Sequence, residues 1–522
     1  MNWTGLICIG IFYLMVLGVG IFAGFVQRRK LKDSVESQAD VVLLAKRDLG
    51  LFVGILTMTA TWVAGAYING TVEAIFSQGI VWCLPPIGYS LALIVGGILF
   101  AKPLREKGYV TMLDPLQDKY GRRMGGLLFI PALASEIFWI GATLSALGTT
   151  LAVIVDIDIN LAIVVSSCIT LTYVLFGGLY SVAYTDVIQL LCVVLGLVVA
   201  VPFAWTNPSV GNLHPSETDW IGTIETPDIG IYVESLLLLI FGGIPWQGYF
   251  QRVLSTRSPN DARTLSLVGG CLCLLVGTPC ILLGIVAKGA DWEMAGYPGN
   301  FTTPDEVKSI LPIVLQYLTP EWVSLLGLGA VSAAIMSSAD SGVLSSSTMF
   351  AQNIFKNLLF QKASDKAVVR ATWCSIVVVT IISTLMAMSV TTLLGMSYLC
   401  ADFVYVILFP QLLLVVHFEK HCNTYGAFLA FLLGLLLRIL GGEPLIGLPA
   451  IIQYPYFSDG VQRFPFRTMA VLLSIFLQVT VSKITNWLFI VKKIPRKFDI
   501  FNEFPDSSSN SLDMLTMRKD QA

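Results

Sequence analysis

Thirteen stretches of this chain are apolar over lengths that suit a bilayer crossing, which takes about 20 residues in a helix: 4–26, 50–78, 80–101, 124–154, 160–178, 182–205, 231–251, 264–288, 321–355, 367–389, 392–417, 424–440 and 466–491. Polar residues are mostly confined to the connections between them. Two of the stretches carry helix-breaking sequence in mid-span. The first contains Thr59-Ala-Thr-Trp-Val-Ala-Gly-Ala-Tyr-Ile-Asn-Gly70, and the second contains Phe241-Gly-Gly-Ile-Pro-Trp-Gln-Gly-Tyr-Phe-Gln251. A break inside hydrocarbon leaves backbone groups unpaired, and that is tolerated only where the break is buried in protein or lines a polar cavity.

The positions of the charges orient the spans. Lys and Arg collect at 28–32, 102–107, 252–263, 356–366 and 492–497, which places those loops in the cytoplasm. Arg252, Arg257 and Arg263 are all read as belonging to one of these loops. The alternate loop 207–230 carries Glu217, Asp219, Glu225 and Asp228 and no basic residue, as an outer loop would. The N-terminus is expected outside and the C-terminus inside. Glycosylation signals at Asn2 and Asn300 fall on the outer face of this arrangement, whereas Asn69 matches the pattern inside a span and is read as unmodified.

Two five-span halves, 50–206 and 231–417, each begin with a broken span and enter the membrane from opposite sides. This is the pattern of inverted repeats with a solute site near the midplane. The remaining segments are an N-terminal helix and loop (1–49), an outer linker (207–230), two further helices (418–491) and a polar cytoplasmic tail (492–522). The segment 304–318 has apolar residues at helical spacing and is expected to lie along the membrane surface.

Composition agrees with this reading. The chain is 55% hydrophobic and 13% charged, against about 25% charged in soluble proteins, and its mean hydropathy is +0.76. The expected class is an all-α membrane protein with thirteen transmembrane helices. The 10 cysteines and 3 histidines suggest no disulfide framework, metal centre or nucleophile with its base, so an enzyme is not expected.

Tryptophan stands at each break, as Trp62 and Trp246, and Tyr89 and Trp139 lie inside spans near small residues. Ring faces hold a cation that has no strong hydrogen-bond donors of its own, so these four are candidate walls of an organic-cation site. Ser337 and Ser338 offer hydroxyl oxygens to a small hard cation beside the broken helix. Asp340 and Asp186 are intramembrane carboxylates of the kind that mark ion paths. Glu136 and Asp402 either pair with cations or face a hydrated cavity, and Arg438, near an outer helix end, is expected to snorkel.

Several motifs resemble the choline-carrying branch of the sodium:solute symporter family. They are Thr57-Met-Thr-Ala-Thr-Trp62, Lys107-Gly-Tyr-Val-Thr-Met-Leu-Asp-Pro115, Gly177-Gly-Leu-Tyr-Ser-Val-Ala-Tyr-Thr-Asp186, Gly242-Gly-Ile-Pro-Trp246 and Met336-Ser-Ser-Ala-Asp-Ser341. The resemblance, over about 40–490, implies a LeuT-type inverted-repeat (5+5) fold with one extra N-terminal and two extra C-terminal helices. It implies sodium-coupled, chloride-dependent choline uptake at the plasma membrane of presynaptic terminals and vesicles, supplying acetylcholine synthesis and blocked by hemicholinium-type bis-quaternary compounds. By the same resemblance Trp62, Tyr89, Trp139 and Trp246 cage choline; from choline's own chemistry, Gln247 or a backbone carbonyl is expected to take its hydroxyl. Ala60, Val63, Ala334, Ser337 and Ser338 hold the main sodium, and Asp186 with Ser341 holds a further cation. Sodium and chloride act as coupling ions, no cofactor is implied, the bilayer is the surrounding partner, and no nucleic acid is expected. The alternatives are a symporter for another organic cation or small solute, and a choline-binding sensor or channel.

Overall fold

A computed structural model describes residues 5–504 other than 8, 9, 17, 21, 23–42, 64, 459, 492 and 502. Asn2, the basic run at 28–32 and most of the 492–522 tail lie outside the described residues. The helices that matter below are α1 (Leu51–Trp62), α2 (Gly65–Gln78), α3 (Pro85–Gly96), α4 (Asp114–Val155), α5 (Ile159–Trp205), α6 (Ile229–Gly243), α7 (Gln247–Leu254), α8 (Pro259–Gly289), α9 (Ile310–Tyr317), α10 (Glu321–Met349), α11 (Asp365–Ala387), α12 (Leu393–Phe403), α13 (Phe409–His417), α14 (Thr424–Leu440) and α15 (Phe466–Ile490).

Among the described residues, 9 helices are long and apolar enough to cross a membrane, and α1 with α2 forms a further span bent by 49° at its break. Three shorter apolar helices, Gly5–Gly20, Ile159–Thr172 and Thr424–Leu440, occupy the other predicted stretches. Thirteen crossings is therefore more than length and apolar character carry by themselves. The stretches 160–178 and 182–205 are joined through Gly178, whose φ of 57° lies in the left-handed region open to glycine.

At the centre is α10, buried from Ala330 to Met349 and packed against α4, α5 and α11. Its run of Ser, Ala and Gly explains that position, because small residues let helix backbones approach closely where no hydrophobic drive separates helix from lipid. The second break falls at Ile244–Trp246, between α6 and α7.

Two expectations about the outer side are corrected. The 304–318 segment does not lie on a lipid surface: Ile310, Leu311, Val314 and Leu315 are fully buried and α9 packs onto α10, α2 and α4. Its amphipathic stripe is satisfied by protein rather than lipid. Arg438 does not snorkel either. It is buried, with Nε 2.6 Å from Asp402 and Nη2 2.6 Å from Glu443. Arg467 on α15 joins the same group, 2.7 Å from Asp402 and 3.1 Å from Glu234 on α6. The two guanidiniums pair with all three carboxylates, as buried charges require, although Asp402 Oδ1 is left without a hydrogen-bond partner.

Candidate functional site

The residue that ends α1, Trp62, and the residue that precedes α7, Trp246, meet at the two breaks with ring centroids 5.0 Å apart. Trp246 lies 5.2 Å from Trp139 of α4, Trp139 lies 6.0 Å from Tyr89 of α3, and Tyr89 lies 5.3 Å from Trp62. The four predicted rings thus close into a box, each edge-to-face with its neighbours at interplanar angles of 66–86°. All four are buried. Gly243 makes room for the box: a Cβ there would come within 3.0 Å of the Trp62 ring. The glycines before the second break therefore serve close packing as well as interruption.

Edge-to-face contact sets the electropositive rim of one ring against the electronegative face of the next. An ammonium cation offers those faces a full charge in place of a partial one, so the box is chemically suited to exchange ring edges for a quaternary head. Trp62 Nε1 and Trp139 Nε1 are buried donors without a hydrogen-bond partner. Gln247 Oε1 accepts from the Met112 amide at 2.9 Å, which uses one of its two lone pairs, and its Nε2 has no partner. Besides these donors, Tyr89 OH and Glu136 Oε2 are buried without a hydrogen-bond partner.

A second cluster lies against the C-terminal half of α1. Ser338 Oγ donates toward the carbonyls of Ala60 at 3.3 Å and Thr61 at 3.2 Å, where α1 runs out. Val63 is the first residue past that helix, and Ala334 lies one turn before Ser338 on α10. A hydroxyl facing freed carbonyls is an oxygen-rich setting that suits a hard cation. Ser337 does not join it: its Oγ donates to Asp186 Oδ1 at 2.5 Å. Asp186 also accepts from Thr57 and faces Arg252 at 3.4 Å, and Arg252 Nη2 donates to Ser341 Oγ at 2.5 Å. Ser341 in turn lies 3.3 Å from Thr61 Oγ1. The predicted oxygens therefore fall into two neighbouring groups, one at Ser338 and one at Asp186 with Ser337 and Ser341.

Arg252 is the main correction. Counted in sequence as a cytoplasmic loop charge, it is fully buried on α7, whereas Arg257 and Arg263 are exposed as expected. Charge bias alone does not separate a loop arginine from one on the last turn of a short buried helix. Thr57 and Thr61, four apart on α1, were equally missed, although their helical spacing puts both hydroxyls on one face. Glu136 accepts from Ser345 at 3.2 Å, with Trp246 and Arg252 also facing it, and Asp340 is buried within electrostatic reach of Arg252. Asn300 is exposed and its Oδ1 accepts from Thr302 at 2.8 Å.

Comparison with known proteins agrees with this geometry. The sequence model of the Sodium:solute symporter family matches residues 42–434. The chain is 52% identical to High-affinity choline transporter 1 of Drosophila melanogaster, over 96% of this chain and 81% of that protein. It is 48% identical to High affinity choline transporter 1 of Homo sapiens, over 95% of this chain and 88% of that one. Among solved structures it is similar to a Na+-coupled sialic acid symporter in a substrate-bound outward-open state. The TM-score there is 0.75 at 16% identity, covering 92% of this chain and 98% of the other, which speaks to the fold alone.

Proposed function

Because this chain belongs to the sodium:solute symporter family, we propose that it carries choline inward coupled to sodium. The observation that carries this reading is the closed box of Trp62, Tyr89, Trp139 and Trp246 at the meeting point of two broken spans. Choline has one fixed charge and a single hydroxyl, so ring faces recognise it at little desolvation cost. Each such contact contributes about 0.5–2 kcal/mol. The hydroxyl oxygen is matched by the unpartnered donors of Trp62, Trp139 and Gln247.

Sodium enters this reading as a second substrate. At Ser338 with the Ala60 and Thr61 carbonyls it would tie the end of α1 to α10, fixing Trp62 one residue away. At Asp186 and Ser341 a further sodium would meet a carboxylate. Each positive charge moved inward gains about 2.3 kcal/mol per 100 mV, so an inside-negative membrane drives both choline and sodium. The finer parts of the proposal are thirteen crossings with N-terminus outside and C-terminus inside, a pair of inverted five-span repeats over 50–206 and 231–417, chloride dependence, block by hemicholinium-type compounds, and service to acetylcholine synthesis at presynaptic plasma membrane.

Radiolabelled choline uptake in cells expressing the chain tests the proposal, with lithium replacing sodium and gluconate replacing chloride, and with a hemicholinium-type compound added. Saturable, sodium-dependent, inhibited uptake is expected. Surface-expressed protein that binds choline without carrying it would favour a sensor, and uptake of a different cation would move the solute assignment.

A further inference from the structure

Asp186, the carboxylate at the heart of this cluster, is matched against one guanidinium. Arg252 Nη2 lies between Asp186 Oδ2 and Ser341 Oγ, bonded to the two residues to which the second sodium is assigned above. Arg252 is carried on α7, the short inner helix after the second break, whereas Asp186 and Ser341 belong to α5 and α10. Its other neighbours are the Gly248 carbonyl and Gln251 Oε1, each at 3.4 Å, with Glu136 and Asp340 within electrostatic reach. Asp186, Glu136 and Asp340, all buried, thus lie around the Arg252 guanidinium.

The geometry points to Arg252 as a tethered stand-in for sodium. Its guanidinium neutralises Asp186 when sodium is absent, and sodium entering at Asp186 and Ser341 displaces it. This inference rests on the sodium reading of that pair. Two cations cannot share those oxygens without like-charge repulsion in a low-dielectric site, so binding of one excludes the other. A carboxylate left bare in the membrane interior is costly. The stand-in removes that cost for the empty carrier and lets it complete its return step. It also makes the position of α7 depend on whether sodium is bound, which couples ion occupancy to the helix that directly follows the Trp246 wall.

The test is sodium-dependent thermal stabilisation of the purified full-length protein, since a ligand that binds only the folded state raises its melting temperature with concentration. Sodium is titrated against N-methylglucamine at constant ionic strength. Arg252→Gln removes the competitor, and the midpoint of the sodium response is expected to fall by about tenfold, within the ordinary range of coupling between sites. Arg252→Lys keeps the charge without the planar fork that spans Asp186 and Ser341, and an intermediate fall is expected. The pair Asp186→Asn with Arg252→Gln restores neutrality and is expected to fold while losing the shifted response. A midpoint that stays put or rises in both single variants overturns the inference, and should Arg252→Gln fail to fold, Arg252→Lys decides alone. If the unaltered protein shows no sodium stabilisation at all, the sodium reading beneath it fails instead.

Discussion

Replacing Trp62 by leucine takes away one of the four faces of the ring box while leaving an apolar side chain in a site that is only 2% exposed. Trp62 touches Tyr89 at 5.3 Å and Trp246 at 5.0 Å, so it closes two of the four corners. A desolvated cation–ring contact is worth about 0.5–2 kcal/mol. Burial puts Trp62 in the upper part of that range, and 1.4 kcal/mol is tenfold in affinity, so choline should bind roughly five- to thirtyfold more weakly. Packing loss alone would also weaken binding, and the two are separated by the neutral carbon isostere of choline, which has the same shape without the charge. Competition of each compound against radiolabelled choline, normalised to surface protein, gives the preference for charge. Trp62→Leu should shrink that preference by the same five- to thirtyfold, and Trp62→Phe, which keeps a face, by no more than about threefold. If both compounds weaken equally in Trp62→Leu, the ring is packing and the cation–π account of the box is wrong.

Ser338→Ala removes a hydroxyl that faces the Ala60 and Thr61 carbonyls. With about 1–1.5 kcal/mol at stake, half-saturating sodium for uptake should rise five- to tenfold, and an unchanged sodium curve would take Ser338 out of the site. Arg438→Met leaves Asp402 and Glu443 to Arg467 alone. Breaking a buried pair costs about 3–5 kcal/mol, so the melting temperature in detergent should drop by several degrees, and an unmoved transition would show the pair to be dispensable. Asn300→Gln should shrink an endoglycosidase-sensitive mobility shift to what Asn2 contributes, and a shift of unchanged size would show that Asn300 carries no sugar.

The ring box was legible in the chain because two independent signals coincide at each break. Gly or Pro in mid-span shows where the backbone leaves the helix, and an aromatic at the same place shows what fills the opening. Trp62 and Trp246 carry both signals. The ion cluster was legible only in part. Ser338 and Asp186 stand out as polar groups in apolar surroundings, but which oxygen faces which is a matter of helix rotation, and a single hydropathy pattern does not fix it. Adjacent Ser337 and Ser338 point about 100° apart on a helix, so one meets Asp186 and the other meets α1. Arg252 and Arg438 were misread for a common reason. An arginine near the end of an apolar run looks like a solvated flank, and only the carboxylates that tertiary packing brings from distant helices reveal that it is buried.

The ion group around Asp402 has a mechanical meaning. Arg467 on α15 grips Glu234 of α6 and Asp402 of α12, and Arg438 on α14 grips the same Asp402. Helices α14 and α15 come after α13 in the chain, yet they are riveted at this end to α6 and α12. A tilt of α6 and α12 that keeps these rivets must drag α14 and α15 with it. In such a tilt α14 and α15 travel with α6 and α12 as one body, and the lipid around them is pushed aside.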